Sequence, residues 1–249
     1  MALLEVEHVY KTYKDATRSL TVLNDISFTI NKGEFVCLVG PSGSGKSTLL
    51  RMIAGLDRPT QGEIRYRGKP INGVTDKIAV VFQSFGLFPW LTVMENVALG
   101  LEAKGVPRPE REKIASKYID KVGLDGFEEA YPRELSRGMK QRVGIARALA
   151  MDPELLCMDE PFSALDAFTA QNLREEVLDL WLDVTLPVKS VLMVTHGIEE
   201  AVFMADRIIV LSKRPARVLA DVKIELPRPR NMRDQAFAAI VDKIYSLLF

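Results

Sequence analysis

The chain has 249 residues, of which 47% are hydrophobic and 27% are charged, and this composition is typical of a globular protein. Its 33 Lys and Arg residues balance its 33 Asp and Glu residues, so the overall charge gives no reason to expect nucleic-acid binding beyond a local basic patch. No stretch approaches the roughly 18 uncharged apolar residues of a membrane-spanning helix, and Glu5 and Glu7 interrupt the N-terminus too early for a signal peptide. We therefore expect any membrane role to depend on a partner.

The first third of the chain has the pattern of strands around one helix. Residues 3–9 and 20–30 alternate apolar and polar side chains, which predicts half-buried strands. Residues 35–39 are all apolar and predict a buried strand, and a Gly-rich loop then leads into a helical run at 47–56. Further strands are predicted at 63–67 and 77–83.

A helical pattern dominates residues 84–150, where Met139, Val143, Ala146 and Ala150 share one helix face. The rest of the chain alternates strands and helices, which favours a mainly parallel sheet covered on both sides. The fold expected is therefore α/β, with a mainly parallel sheet, an N-terminal antiparallel β part and a helical insert. Later strands are predicted at 155–158, 190–195, 207–211 and 217–226, and a terminal helix at 231–247.

The two cysteines lie inside predicted strands. Cys37 and Cys157 are each surrounded by apolar residues, and nothing resembles a disulfide framework or a zinc site. We therefore expect both to be small core residues in a reducing, cytoplasmic compartment.

The segment from Gly40 to Thr48 matches the phosphate-binding loop pattern in full. Small residues let successive backbone N–H groups converge on phosphate oxygens, and the positive end of the following helix points at the same place. Lys46 is predicted to reach the β- and γ-phosphates of a nucleotide, and the Ser47 hydroxyl is predicted to coordinate Mg²⁺. The predicted nucleotide-binding residues of this loop are Gly40, Pro41, Ser42, Gly43, Ser44, Gly45, Lys46, Ser47 and Thr48.

Two adjacent carboxylates, Asp159 and Glu160, follow the apolar strand at 155–158. Catalytic groups collect at the carboxyl ends of parallel strands, so the pair is predicted to serve the same nucleotide. Asp159 is expected to hold Mg²⁺, and Glu160 is expected to act as the general base that activates water. Without the phosphate loop, the pair would read as a solvated strand edge.

Several ordered motifs resemble those of ATP-binding cassette proteins over residues 3–215. Leu135–Met139 (Leu-Ser-Arg-Gly-Met) stands where that family has its signature, and Ser163–Asp166 (Ser-Ala-Leu-Asp) is similar to its D-loop. Gln83 resembles the Q-loop glutamine, and His196 resembles the switch histidine. Tyr13 is similar in position to the aromatic residue that stacks on adenine. From the residues alone, other interpretations stay open: Gln83 as a strand-end polar group, His196 as a core histidine, and Tyr10 as the stacking residue in place of Tyr13.

The resemblance implies a single ATPase domain over 1–249, with a core at about 1–84 and 151–215, a helical subdomain at about 85–150 and a C-terminal extension at about 216–249. It implies that two such subunits pair head to tail, so that the signature of one completes the ATP site of the other. The catalytic residues implied are Lys46, Gln83, Glu160 and His196, and the Mg²⁺ ligands are Ser47, Gln83 and Asp159. The residues implied to contact the partner's nucleotide are Ser136, Arg137, Gly138, Met139 and Asp166.

The apolar run at Phe85–Leu91 is implied to be the groove that receives a helix of a transmembrane permease subunit. The alternative is that it belongs to the core of the helical insert. Its Phe-Pro-Trp-Leu-Thr-Val sequence at 88–93 resembles importers of nitrate, sulfonates and taurine, whose partners include a solute-binding protein, and this places the chain at the cytoplasmic face of the membrane. Riboflavin, pyrimidine-precursor and bicarbonate importers share these features, so the solute stays open.

Two positions depart from the usual signature. Arg137 replaces the first glycine and Met139 replaces the glutamine, and Gly197 follows His196 where aspartate is common. Because glycine is required only where φ is positive or a side chain would block the nucleotide, an arginine predicts an ordinary helix start at residue 137.

Three other functions fit these motifs less well. A cassette ATPase that acts on nucleic acid or ribosomes usually carries a coiled coil or two linked cassettes, and this chain has neither. A nucleotide kinase with the same phosphate loop would lack Leu135–Met139 and His196. A regulatory module that does not hydrolyse ATP is disfavoured by Glu160.

Overall fold

The structure is a computed structural model that describes residues 2–15, 18–186 and 188–248. It divides into two compact units, one of residues 1–75 with 190–249 and one of residues 76–189. No helix within the described ranges has the length and apolar character needed to cross a membrane. The elements in chain order are β1 (Ala2–Lys14), β2 (Ser19–Asn31), β3 (Phe35–Val39), α1 (Lys46–Ile53), β4 (Gln61–Tyr66), β5 (Lys69–Pro70), β6 (Ile78–Val81), α2 (Val93–Ala103), α3 (Arg108–Lys121), a 3₁₀ turn (Pro132–Glu134), α4 (Arg137–Ala150), β7 (Leu155–Asp159), α5 (Ala167–Leu182), β8 (Ser190–Thr195), α6 (Ile198–Met204), β9 (Arg207–Leu211), β10 (Val218–Lys223) and α7 (Gln235–Leu248).

The first unit contains an antiparallel sheet in the order β2-β1-β4-β5. Alternate residues of β2, Ile26, Phe28 and Ile30, are buried while those between them are exposed. This is the burial expected when one face of a strand covers a core and the other faces water. The alternation at 20–30 therefore predicted both the strand and its buried face.

The first unit also holds the strands β10-β9-β3-β8 in that spatial order. β3 pairs in parallel with β8 and β9, and β10 pairs antiparallel with β9. All five residues of β3 and all six of β8 are buried, because helices cover both faces of a parallel sheet. The predicted mainly parallel sheet is confirmed.

The second unit pairs β6 with β7 in parallel and packs α2, α3 and α4 against one another. α2 begins at a capping box in which the Thr92 side chain accepts from the N–H of Glu95 and the Glu95 carboxylate accepts from the N–H of Thr92. The helical insert predicted from residue 84 is present, but its first helix starts only at Val93, because residues 84–92 form an irregular loop.

Element boundaries differ from the sequence prediction at several elements, including α7, which begins at Gln235 rather than at residue 231, and α1. The predicted helix 47–56 begins at Lys46 and ends at Ile53. It ends early because Gly55 has a φ of 74°, and a Cβ at this position would overlap the carbonyl of Gly73. The predicted core placement of Cys37 and Cys157 is confirmed, since both are fully buried and carry free thiols.

Candidate functional site

The phosphate loop of the first unit connects the end of β3 to the start of α1. Gly40 follows Val39, the last residue of β3, and Lys46 is the first residue of α1. The Lys46 side chain is 4% exposed, and its Nζ donates to the carbonyl oxygens of Gly40 at 2.8 Å and Pro41 at 3.0 Å. The Lys46 ammonium group therefore lies inside the phosphate loop that leads into its own helix.

Two glycines give this loop its shape. Gly43 and Gly45 have φ values of 75° and 103°, a conformation that other residues rarely adopt. A Cβ on Gly45 would lie 2.6 Å from Val22 Cγ1 and 2.8 Å from Leu23 Cδ2. Both the backbone angle and the neighbouring β2 side chains therefore require glycine at position 45.

The loop suits an anion by its polar groups as well as by its shape. The first turn of α1 carries no acidic side chain, so no side chain of that turn cancels the positive end of the helix. The Ser44 hydroxyl is fully buried and has no hydrogen-bond partner among the described residues. Buried polar groups are normally paired, so an unpaired hydroxyl in the loop that also holds the Lys46 ammonium group favours phosphate oxygens as the missing partner.

His196 leaves the neighbouring strand at the same edge of the sheet. Val39 of β3 pairs with Thr195 of β8, so Gly40 and His196 both follow paired strand ends. His196 is exposed and is separated from α6 only by Gly197, whose N–H is held by the Thr195 hydroxyl at 3.0 Å. Among the described residues of the first unit, the parallel register thus places the phosphate loop and the predicted switch histidine together.

The second unit repeats this arrangement with β6 and β7. Asp159 is the last residue of β7 and is 8% exposed. Gln83 follows β6 by two residues, and its Nε2 donates to Glu160 Oε2 at 3.1 Å. The predicted pair of Q-loop glutamine and general base is therefore in direct contact.

Glu160 has a φ of 45°, in the left-handed region. Strained backbones of non-glycine residues cluster at functional sites, where surrounding contacts hold them. Here Ser163 supplies one of those contacts, because its Oγ donates to the Glu160 carbonyl at 2.9 Å; the same Oγ accepts from Gln83 Nε2 at 3.2 Å. Ser163 is a site residue that the sequence placed only within the D-loop range, because its partner Gln83 lies 80 residues away.

The signature residues begin α4. Ser136 caps this helix, and its Oγ accepts from the N–H of Met139 at 3.2 Å. Arg137 is the first helical residue and is not among the residues with positive φ, which confirms the ordinary helix start predicted from its identity. Its Nη1 donates to the Ala164 carbonyl at 3.4 Å, so the side chain turns towards the D-loop. A Cβ on Gly138 would lie 2.7 Å from Thr169 Cγ2, so α5 requires glycine there.

Asp166 caps α5 by accepting from the Thr169 N–H at 3.0 Å. This backbone hydrogen bond, followed by one from the Thr169 side chain, lowers the pKa of Asp166. The carboxylate is therefore held ionised at the start of the helix, at the end of the D-loop.

Arg147, near the end of α4, fixes the loop that follows Gln83. Its Nη1 donates to the Gly86 carbonyl at 2.6 Å, and its Nη2 donates to the Phe85 carbonyl at 3.0 Å. Phe85 and Gly86 have φ values of 64° and 60°, so the arginine holds two consecutive left-handed residues. Burial lowers the pKa of Arg147. The signature helix and the Q-loop are thereby joined in one unit.

The apolar run at Phe85–Leu91 lies on the surface rather than in a core. Trp90 is 68% exposed and Phe88 is 38% exposed, and their rings make an edge-to-face contact at 5.4 Å. The buried Asn96 amide fixes the backbone beneath them, accepting from the Phe88 N–H and donating to the carbonyls of Phe88 and Leu91. A rigid loop thus presents two aromatic rings to the solvent.

Tyr13 lies at the end of β1 and is 45% exposed. Its hydroxyl donates to Asp57 Oδ2 at 3.1 Å, and Lys11 Nζ lies 4.9 Å from its ring centroid. Burial works to raise the pKa of Asp57, but hydrogen bonds from Lys11, the Arg58 backbone and Tyr13 outweigh it and lower this pKa. The ring is held in place and keeps an accessible surface, as an adenine platform requires.

A phosphate loop after a parallel strand, with paired carboxylates after a second parallel strand, defines a P-loop nucleoside triphosphatase. The family model described as ABC transporter matches residues 23–163. The nitrate import ATP-binding protein NrtD of Synechocystis is 47% identical over 98% of this chain and 94% of the relative. The aliphatic sulfonates import ATP-binding protein SsuB of Bacillus cereus is 42% identical over 97% of this chain and 94% of the relative.

A solved dimeric structure of the ATP-binding cassette MJ0796, in a post-hydrolysis state with ADP and Pi, has a TM-score of 0.78 and 37% identity. It covers 90% of this chain and 100% of that cassette. The chain belongs to the ABC transporter family, and its activity is the ATP hydrolysis that drives a transporter.

Proposed function

We propose that this chain is the ATP-hydrolysing subunit of an importer for a small solute such as nitrate, a sulfonate or taurine. Relatives that match nearly its whole length are named as nitrate and aliphatic sulfonate import proteins. The observation that carries the proposal is the direct contact between Gln83 and Glu160, because it joins the catalytic base to the loop that bears the exposed apolar run.

Nucleotide binding is assigned to residues of the first unit. Tyr13 supports the adenine ring, and the loop from Gly40 to Thr48 surrounds the phosphates with its backbone N–H groups. Lys46 neutralises charge that builds on the γ-phosphate as the terminal bond breaks. His196 orients the attacking water and donates to the γ-phosphate.

Glu160 removes a proton from the attacking water as general base. Gln83 responds to the γ-phosphate. When the Gln83 amide turns towards the nucleotide, it stops donating to Glu160, and Glu160 is then free to accept that proton. Ser47, Gln83 and Asp159 are the predicted Mg²⁺ ligands; hydroxyl, amide and carboxylate oxygens are the donors that this ion prefers. Bound Mg²⁺ would neutralise charge on the β- and γ-phosphates.

The active form is a head-to-tail dimer about a two-fold axis, with a second copy or a homologous subunit. Ser136, Arg137, Gly138, Met139 and Asp166 of one subunit face the nucleotide held by the other. Each subunit then carries half of each site, so ATP closes the dimer and hydrolysis reopens it. The dimeric cassette with ADP and Pi supports this assembly.

The partners are transmembrane permease subunits that dock on Phe85–Leu91, and through them a solute-binding protein. The chain is then peripheral, at the cytoplasmic face of the membrane. Exposed aromatic rings are the kind of anchor that protein interfaces use, and Trp90 and Phe88 present such a pair on a rigid loop.

The test is to express the chain with its permease subunits, reconstitute the complex in vesicles with the solute-binding protein, and measure ATP hydrolysis against nitrate, alkanesulfonates and taurine. One of these solutes should stimulate hydrolysis. The same solute should move from the side of the membrane that holds the solute-binding protein to the side that holds this chain, as import requires. Hydrolysis that no member of this class stimulates, in a complex that does respond to another solute, would remove the substrate assignment and leave the ATPase role intact.

A further inference from the structure

The C-terminal extension returns to α6, the helix that follows His196. Its segment Leu226–Arg230 (Leu-Pro-Arg-Pro-Arg) carries two arginines. Arg230 is 8% exposed, although a charged side chain is almost never buried without partners. Its contacts therefore define what this segment does.

Arg230 binds the last turn of α6 through main-chain oxygens. Its Nη1 donates to the carbonyls of Val202 and Ala205, each at 2.6 Å, and to that of Phe203 at 3.3 Å. Its Nε donates to the Leu226 carbonyl at 3.1 Å. The last carbonyls of a helix lack intrahelical donors and carry partial negative charge, so a cation there satisfies both needs.

The buried position of Arg230 has a cost that these bonds offset. Burial, with a smaller effect from Arg228, lowers the pKa of Arg230 to about 10, so the guanidinium stays charged near neutral pH. Buried charge is tolerated only where hydrogen bonds are nearly complete. Arginine alone offers several donors in a planar fork, which a lysine at this position would not reproduce.

Arg228 also binds the end of α6, and Arg228 and Arg230 together form a clamp on this helix. Its Nη2 donates to the Met204 carbonyl, and its Nη1 pairs with Asp206 Oδ1, each at 2.5 Å. The other oxygen of Asp206 accepts from the N–H of Phe35 at 2.9 Å, at the start of β3. One carboxylate thus ties the extension and the end of α6 to the strand that leads into the phosphate loop.

The terminal helix holds the other end of α6. α7 packs against α6 and buries Phe237, Val241 and Ile244. Near its C-terminus, the Tyr245 hydroxyl donates to Glu199 Oε1 at 3.4 Å, and Glu199 lies in the first turn of α6. The extension therefore contacts both ends of a helix of seven residues.

We propose that Arg228 and Arg230 are positioning residues for His196, which they act on through α6. A helix of seven residues is too short to hold its shape alone, so its placement depends on the groups at its ends. Gly197, the only residue between His196 and α6, offers no side-chain cap. A shift of α6 therefore passes directly to His196. The inference rests on the proposed role of His196 in hydrolysis.

The experiment compares Arg230→Met and Arg230→Lys with Arg233→Met, a matched change of an exposed arginine three residues further on that takes no part in the clamp. Full-length proteins are assayed for kcat and for the KM of ATP, well below their unfolding temperatures. Arg230→Met should lower kcat about 10- to 100-fold, as expected when a catalytic group is misplaced by about 1 Å. Its KM should change less than about twofold, and Arg230→Lys should fall between it and the wild type.

The same change is then made in a His196→Ala background. If Arg230 acts through His196, Arg230→Met should lower kcat no further in the His196→Ala background. Amide hydrogen exchange of the Arg230→Met protein should rise in α6 but not in α1. An equal loss in both backgrounds, or a normal kcat with only a lower unfolding temperature, would overturn the proposal. If Arg230→Met does not fold, Arg230→Lys is read by the same criteria. Normal hydrolysis by His196→Ala would instead refute the role of His196 and the proposal together.

Discussion

Glu160 combines a strained backbone with the carboxylate that we propose as the general base, and glycine and alanine substitutions separate the two. Its φ of 45° lies where a side-chain-bearing residue costs roughly 1–2 kcal/mol and glycine does not. Glycine also adds freedom to the unfolded chain, worth about 0.4–1 kcal/mol. Mid-range values of the two effects, about 1.5 and about 0.7 kcal/mol, leave Glu160→Gly more stable than Glu160→Ala by about 0.8 kcal/mol. For a chain of this size that is a rise of about 1–4 °C in unfolding temperature.

Both variants lack the carboxylate, so both should lose turnover by about 10²- to 10⁴-fold, the usual contribution of a general base. The assay is thermal unfolding without nucleotide, paired with steady-state ATP hydrolysis. Glu160→Ala at least as stable as Glu160→Gly would refute the left-handed backbone. Turnover near the wild-type rate in either variant would remove Glu160 from the role of base.

Four further substitutions test the proposed docking surface, the signature residues and the phosphate loop. Trp90→Glu should leave the isolated chain folded and active while abolishing co-purification with the permease, because Trp90 is 68% exposed; unfolding of this variant would favour a core role. Arg137→Gly should keep ATP hydrolysis by the assembled complex within about tenfold, a barrier change of about 1.4 kcal/mol. Ser136→Arg should be far slower, since it removes a helix cap and adds bulk, and equal losses would make Arg137 catalytic. Gly45→Ala should abolish ATP binding in a calorimetric titration, because a Cβ there meets Val22 and the φ is 103°; normal affinity would contradict the loop geometry.

The sequence predicted what local patterns encode and missed what distant contacts decide. The strands 190–195 and 207–211 have the predicted bounds, because fully buried strands are apolar runs with sharp ends. The end of α1 was predicted three residues late, since Gly55 acts through its approach to Gly73. The phosphate loop and the carboxylate pair could be predicted because residue type and spacing along the chain identify them, at Gly40–Thr48 and at Asp159 and Glu160.

The residues missed are those whose roles depend on partners far away in the chain. Ser163 contacts Gln83 across 80 residues, and Arg147 contacts Phe85 across 62. Arg230 contacts Val202 across 28 residues, and nothing in Pro-Arg-Pro-Arg indicates that the arginines point inward. Periodicity reports which face of an element is buried, but it does not report which carbonyl a buried guanidinium reaches.

The central claim is that ATP closes a head-to-tail dimer of this subunit and that hydrolysis reopens it. The most direct measurement is the mass of purified Glu160→Gln by light scattering during size-exclusion chromatography, with Mg²⁺ and either ATP or ADP. We expect a dimer with ATP and a monomer with ADP, and we expect a monomer with either nucleotide when Ser136→Arg is added. A protein that stays monomeric with ATP, or that is dimeric whichever nucleotide is present, would contradict it.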